Sequence, residues 1–336
     1  MKHLKSILTY TISLTLAGTL LYFAFKNIDL NSFIARIDSI NYNWILLSVG
    51  LSLISHWIRA YRWNMLLEPL GFSLNPNRTF LAVMTGYLAN IAFPRLGEVT
   101  RCGILHRTDK VPVSVSFGTV ITERLIDFMI LLSLILLDFL IEFDLLYDFF
   151  SQTLGFGRLS EYWEVITVVV VIIAISGFVV LLKIRNLIQS EIQNPWLNRI
   201  RVFIRDLLDG LLSLRKIKNL YGFLVTTMAI WVLYYLMSYI LIFALPETSN
   251  LSLVAGLSIL AAGGIAMSAP VQAGVGTYHA FVSGILLLYG IQQESGLFFA
   301  TMLHASQIIS IVLFGGISAI IAVFIGQKTS PDTQNS

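Results

Sequence analysis

The sequence predicts an all-α integral membrane protein, a polytopic helical bundle with two re-entrant broken-helix hairpins in an inverted repeat. Three observations predict it. Of 336 residues, 56% are hydrophobic and only 12% charged, about half the charged share of a soluble domain, and the mean hydropathy is +0.79. Uncharged runs at 6–25, 165–182, 220–246 and 305–327 reach the roughly 18–20 residues that a helix needs to cross ~30 Å of hydrocarbon. Two other apolar stretches are interrupted alike, at Ala92-Phe93-Pro94-Arg95-Leu96-Gly97-Glu98 and at Ser268-Ala269-Pro270-Val271-Gln272-Ala273-Gly274-Val275-Gly276. Proline and glycine open a helix and free backbone groups that lipid cannot satisfy, so such breaks persist only against protein or water. A pair of them in matching halves points to a transporter-like binding site.

Loop charges order the elements, because Lys and Arg gather on the cytoplasmic side. Lys2 and Lys5 place the N-terminus inside, ahead of residues 6–25. That run exceeds the roughly 7–15 residues of a signal-peptide core, and no small-residue cleavage site follows, so it reads as a retained first span. A near-neutral outer segment (Lys26, Asp29, Arg36, Asp38) precedes a second span at 44–61, which returns to Arg62 and Arg78 inside. Residues 79–93 make a helix of about 22 Å, too short to span comfortably, and beyond Pro94 the chain meets the basic cluster His106, Arg107 and Lys110. A re-entrant hairpin over 79–110 is the economical solution, followed by one long outward span at 111–141.

Acidic residues from Glu142 to Glu164 mark an outer loop, and the basic segment 183–218 an inner one. The second half then repeats the plan upside down. Span 165–182 goes in, span 220–246 goes out, a hairpin over 251–290 enters from outside, and 296–326 goes in, leaving the polar tail 329–336 in the cytoplasm. The halves are 1–150 and 151–328. Between them, apolar residues from Trp196 to Leu214 recur at i, i+3, i+4 with Arg199, Arg201, Arg205 and Arg215 on or beside the other face. That pattern predicts a basic amphipathic helix, lying in the inner interface or packed on the cytoplasmic ends of the spans.

Charges inside the membrane cost roughly 2.5–3.5 kcal/mol each even on lenient scales, so they face protein or water. Arg95, Glu98 and Arg101 fall at i, i+3, i+6, on one face if the returning limb is helical. Two guanidiniums against one carboxylate suit a phosphate head group; the alternative is that Glu98 merely locks the hairpin. Glu123, Arg124 and Asp127 sit near mid-span, Glu123 about 17 Å along the helix from Pro112. Glu123 and Asp127 share a face, where one of two like charges can hold a proton for coupling; a structural network with Arg124 serves equally. His304 and Gln307 lie about 12 Å into the last span, and His279 follows the second break; each is a candidate ligand or a helix–helix hydrogen bond. Arg59 and Arg62, with His56 on the same face, are expected to snorkel to the cytoplasmic interface, within reach of lipid phosphates.

Enzyme signatures are absent: no HExxH, GxSxG or P-loop occurs. The single Cys102 excludes an intrachain disulfide and a cysteine metal site, five scattered histidines form no ligand pattern, and a net charge of +3 does not suggest nucleic acid. No metal or cofactor is expected.

The run Asn90-x-x-x-Pro94-Arg95-x-Gly97-Glu98-x-x-Arg101, followed by Glu123-Arg124-x-x-Asp127, resembles the flippase-like transmembrane domain of the lysylphosphatidylglycerol synthase family, over nearly the whole chain. The second hairpin is similar to that family's Pro-x-Pro-Gly-Gly-x-Gly-x-x-Glu pattern. Here Gln272 stands for the second proline, Ala273 for the first paired glycine, and His279 for the carboxylate. In bifunctional members a soluble domain makes the aminoacylated lipid and the membrane domain is held to move it. No such domain is expected here, so the resemblance implies translocation of an anionic or polyprenyl-linked lipid, or an accessory role beside a separate lipid-modifying enzyme. The alternatives are a non-catalytic membrane subunit or scaffold, and an intramembrane transferase. The expected location is a bacterial-type cytoplasmic (inner) membrane with both termini inside.

Overall fold

The computed structural model describes residues 34–143, 195–269 and 271–328, with Tyr22 and Leu145 beside them. The expected spans at 6–25 and 165–182, Pro270 and the tail 329–336 lie outside the described residues. Among the described residues every regular element is helical. The chain forms α1 (Tyr42–Leu67), α2 (Pro76–Ala92), α3 (Leu96–Asp109), α4 (Val113–Ile141), α5 (Pro195–Leu211), α6 (Leu220–Ile240), α7 (Leu253–Ser268), α8 (Thr277–Leu288) and α9 (Gln293–Lys328), joined by short 3₁₀ turns.

Local chemistry sets the ends. Asn41 caps α1 by accepting from the Asn43 amide at 3.2 Å, and α1 stops before Pro69 and Gly71, whose φ of 93° turns the chain. Asn75 caps α2 with Pro76 in its first turn. Ser252 caps α7 by accepting from Ala255 at 3.1 Å. Between α2 and α3, Phe93 is extended and Arg95 left-handed at φ 62°. The Asn90 side chain accepts from the Gly97 amide at 2.6 Å, so the incoming limb satisfies a donor that opens the outgoing one. The two limbs touch backbone to backbone: a β-carbon on Gly86 would lie 2.8 Å from the Gly97 carbonyl oxygen.

The second break is built differently. Ala269 is extended, a 3₁₀ turn covers Gln272–Gly274, and Gly274 (φ 74°) and Gly276 (φ 85°) take conformations that side chains resist. Ala273 is also left-handed, at φ 49°, a conformation that costs an L-residue about 1–2 kcal/mol. Ala273→Gly is therefore expected to stabilise the protein by about 0.5–1 kcal/mol once glycine's greater unfolded-state freedom is set against the relief, read as a higher midpoint in detergent unfolding.

Contacts sort the loops into two ends. Arg36 meets Glu247 at 3.6 Å and Glu294 at 3.5 Å, and Ser258 joins Asp138 at 2.7 Å to Tyr289 at 2.8 Å. At the other end of α1, about 39 Å away along its 26 residues, Lys218 meets Glu68 at 3.1 Å and Arg78 meets Asp109 at 3.2 Å. The α2–α3 unit therefore starts and finishes at the Glu68 end, and α7–α8 starts and finishes at the Arg36 end. Their limbs hold 12 to 17 residues, about 18–26 Å of helix, less than a hydrocarbon thickness.

Each unit has its own apolar core. Trp63, Leu66, Val83, Leu105 and Val120 close around α2 and α3; Leu241, Ile259, Tyr278, Phe298 and Leu303 close around α7 and α8. The two units meet where α2 packs against the 272–274 turn, and α9 lies along both α2 and α8. Among the described residues two helices, Leu220–Ala244 and Gln293–Ile325, are long and apolar enough to cross a membrane. Helix α4 has comparable length but carries Glu123, Arg124, Asp127 and Asp138.

The amphipathic helix expected at 196–214 forms as α5, and it packs along α4. The approach is close: a β-carbon on Gly210 would lie 2.5 Å from the Val115 carbonyl oxygen. Ser114 donates to Asp206 at 2.9 Å, and Thr122 to the Gly210 carbonyl at 3.2 Å. Val202 and Phe203 remain exposed.

Candidate functional site

Three helices bring a cluster of charge into the interior. Helix α1 presents Arg59 and Arg62, one turn apart; α3 presents Arg101; α4 presents Glu123 and, one turn on, Asp127. Arg59 donates through Nε to Glu123 at 2.5 Å and through Nη2 to Asp127. Arg62 reaches Asp127 at 2.8 Å and Glu123 at 3.7 Å. Arg101 reaches the other Glu123 oxygen at 3.2 Å. Glu123 is 0% exposed, and Arg59, Arg62 and Arg101 are buried. Buried charge survives only when paired and hydrogen-bonded, and here each carboxylate meets at least two guanidiniums.

Neutral groups complete the shell. Arg59 Nη1 donates to the Tyr87 hydroxyl at 2.9 Å and the Tyr234 hydroxyl at 2.8 Å. Arg62 donates to Thr227 at 3.4 Å. The Arg101 guanidinium lies 4.5 Å from the centre of the Trp63 ring, a cation–π contact. The His56 ring lies tilted against Tyr87 at 4.6 Å and hydrogen-bonds Ser52 at 3.2 Å.

Several expectations change. Arg59 and Arg62 do not snorkel to an interface: they point inward, because Glu123 and Asp127 lie on the facing stripe of α4. Arg95 does not share the face of Glu98 and Arg101, since helix α3 begins only at Leu96; Arg95 is exposed and has no ion-pair partner among the described residues. Arg124 is not part of the Glu123–Asp127 network. One residue step turns it about 100° around the helix, and it meets Glu98 instead, at 3.4 Å. Glu123 and Asp127 are bridged by Arg59, whose charge offsets their mutual repulsion.

Glu98, Arg101 and Arg124 line a recess beside the first break together with Gly86, Asn90 and Gly97. Its volume is about 10 Å³, room for a single water-sized group. Several buried polar atoms of its lining residues have no hydrogen-bond partner among the described residues: Arg101 Nε and Nη2, Arg124 Nε, and Glu98 Oε2.

The second break gathers another group. His304 Nε2 donates to the Ala273 carbonyl at 2.8 Å, stacks on Tyr278 at 4.9 Å and meets His279 edge-on at 5.1 Å. His279 Nδ1 accepts from the Gly276 amide at 3.3 Å. Both histidines thus hold the break's backbone: His304 closes it from α9, and His279 caps the helix after it. Gln272 is buried, and its amide has no partner among the described residues. Gln307, one turn along α9 from His304, is half-buried, with no hydrogen-bond partner among the described residues. No group of three or more His, Cys, Asp or Glu poised for a metal occurs among the described residues.

Sequence reading missed Tyr87, Tyr234 and Trp63 as partners of the arginines, and it quoted Asn90 without a role. Asn90 carried a signal, an amide seven residues before the glycine that opens the next helix. Tyr234 carried none, lying in a long uncharged run.

The profile of the family described as lysylphosphatidylglycerol synthase TM region matches residues 10–315. The chain belongs to that family. Among its relatives, a UPF0104 membrane protein of Methanocaldococcus jannaschii is 30% identical over 108 residues. That stretch is 31% of this chain and 32% of the relative, so the likeness spans about a third of that protein's length. No solved structure matches the chain. In this family member the run from Asn90 to Arg101 builds the first break, its cap and the recess, while Glu123 and Asp127 anchor the guanidiniums behind it.

Proposed function

We propose that the protein is a membrane lipid translocase, moving an anionic or polyprenyl-linked lipid between leaflets of a bacterial-type inner membrane. The observation that carries the reading is the recess at the first break, lined by the buried Arg101, two of whose nitrogens have no hydrogen-bond partner among the described residues. Guanidiniums with unused donors, at a broken helix in a membrane protein of a lipid-associated family, suit a phosphate-bearing head group. The two helical units, entering from opposite ends and touching at the 272–274 turn, support two re-entrant hairpins in an inverted repeat. Rocking of one half against the other would then expose the site to each side in turn. The basic loops support cytoplasmic termini.

The test is a leaflet-resolved assay. Purified protein in sealed vesicles should speed the exchange of head-group-labelled anionic lipid at least about tenfold over protein-free vesicles. Equal rates with every phospholipid and polyprenyl-phosphate probe would remove the proposal.

A second reading has one observation in its favour. Glu123 alone engages Arg59, Arg62 and Arg101, an arrangement that also suits a structural lock in a non-catalytic membrane subunit, beside a separate lipid-modifying enzyme. On that reading, substitutions at the recess change function only in proportion to lost stability.

A further inference from the structure

A cavity of about 300 Å³ opens at the Glu68 end of the molecule, and it shares no lining residue with the recess at the first break. One wall is the end of α1 and the turn that follows it; the other is the segment 217–219 that leads into α6. Both walls are fixed by the chain itself. Gly71 turns the chain at φ 93°. The Asn64 amide nitrogen donates to the Leu74 carbonyl at 3.0 Å, and its oxygen accepts from the Thr79 hydroxyl at 2.7 Å. Across the cavity, Asn219 caps α6 by accepting from the Gly222 amide at 2.8 Å. The space is thus formed before any ligand arrives, as small-molecule sites usually are, and its volume matches the lower end of their range, roughly 300–1,000 Å³.

The lining has two parts. Tyr61, Met65, Phe72, Leu74, Pro76 and Ile217 supply apolar surface. Glu68 and Lys218 supply an ion pair at 3.1 Å, with side chains 46% and 70% exposed respectively. An ion pair this exposed adds little to the fold, so both side chains are available to a ligand. Together the two parts restrict what fits. A singly charged molecule satisfies one member of the pair and repels the other. A molecule with an ammonium and a carboxylate on the same carbon meets both members at once, giving four alternating charges. The apolar surface calls for a side chain of its own kind, and Tyr61 and Phe72 add aromatic area to receive it.

We propose that this cavity binds a free α-amino acid with a large apolar or aromatic side chain. The ligand's ammonium donates to Glu68, its carboxylate accepts from Lys218, and its side chain lies against Tyr61, Phe72 and Ile217. Because one wall belongs to α1 and the other to the lead-in of α6, an occupied cavity ties these two parts of the chain together. The inference uses no residue of the lipid reading above and stands apart from it.

Tritiated phenylalanine bound to the full-length protein in detergent, displaced by unlabelled competitors, tests this. Phenylalanine should compete about fivefold better than phenylalaninamide, which lacks the carboxylate, and than N-acetylphenylalanine, which lacks the ammonium, each difference being one exposed charge contact. Glycine, with both charges and no side chain, should be at least about tenfold weaker through lost apolar burial. Lys218→Gln should remove the preference over the amide, and Glu68→Gln the preference over the acetylated compound. Both side chains are exposed, so the unfolding midpoints of these variants should stay at the wild-type value.

No saturable binding, competition by glycine equal to that by phenylalanine, or wild-type preferences in both variants would overturn the inference and leave the cavity as solvent space. Lipid exchange by a protein that does not bind phenylalanine removes this inference alone, whereas selective binding without lipid exchange removes the transport reading alone.

Discussion

Glu123→Gln is expected to destabilise the protein by about 3–5 kcal/mol, the loss seen when one partner of a buried ion pair is removed. The side chain is 0% exposed and receives Arg59 at 2.5 Å, Arg101 at 3.2 Å and Arg62 at 3.7 Å. Glutamine keeps the shape and removes the charge, so Arg59 and Arg62 are left to share Asp127 and the buried Arg101 loses its carboxylate. Helix α3 then loses its buried tie to α4 through Arg101, and the ion pairs from α1 to α4 run to Asp127 alone. The midpoint of SDS-induced unfolding of the purified protein reads the effect; a midpoint within experimental error of the wild type would show that the cluster does not hold these helices together. Removing a cation is a different matter. Arg101→Gln leaves Glu123 with two guanidiniums and abolishes two unpartnered nitrogens, so it should cost no more than about 1 kcal/mol.

Gly97→Ala is expected to cost about 3 kcal/mol, at the upper end for overpacking. An added β-carbon would overlap the Gly86 carbonyl oxygen and lie 2.7 Å from the Asn90 side chain. Backbone cannot swing aside as a side-chain tip can, so the limbs of the first hairpin must separate. Asn90 would then lose its 2.6 Å bond to the residue 97 amide. Gly103→Ala on the same helix is the control. Nothing lies within 4 Å of a β-carbon there, and alanine's helix preference should stabilise by up to about 1 kcal/mol. Equal unfolding midpoints for the two variants would contradict the close-packed hairpin.

The two helix breaks were legible in the sequence because their cause is local. Pro94 and the glycines near residue 274 break a helix wherever they fall, and the breaks occur at 93–95 and 269–276. Glu123 was legible as a mid-span charge needing a partner. Its partners were not, because register between helices is not a local property. Arg59 and Arg62 lie within about two turns of the end of α1, where basic residues commonly reach for the interface, and only the packing of α1 on α4 turns them inward. Arg95 was misplaced for a local reason: the face shared at i, i+3, i+6 requires a helix, and the left-handed residue at 95 precedes it. His279 and His304 lie 25 positions apart in sequence yet meet at 5.1 Å, a closeness set by α8 folding back on α9.

The central claim is that the first break is where lipid is handled, and Arg101 tests it most directly because removing its charge should spare the fold. In sealed vesicles with leaflet-resolved labelled anionic lipid, Arg101→Gln should reduce exchange at least about tenfold, with an unfolding midpoint close to the wild type. Arg101→Lys, which keeps the charge but not the forked donors, should fall between them. Wild-type exchange by the glutamine variant, or a loss of exchange that only follows a loss of stability, would contradict the account.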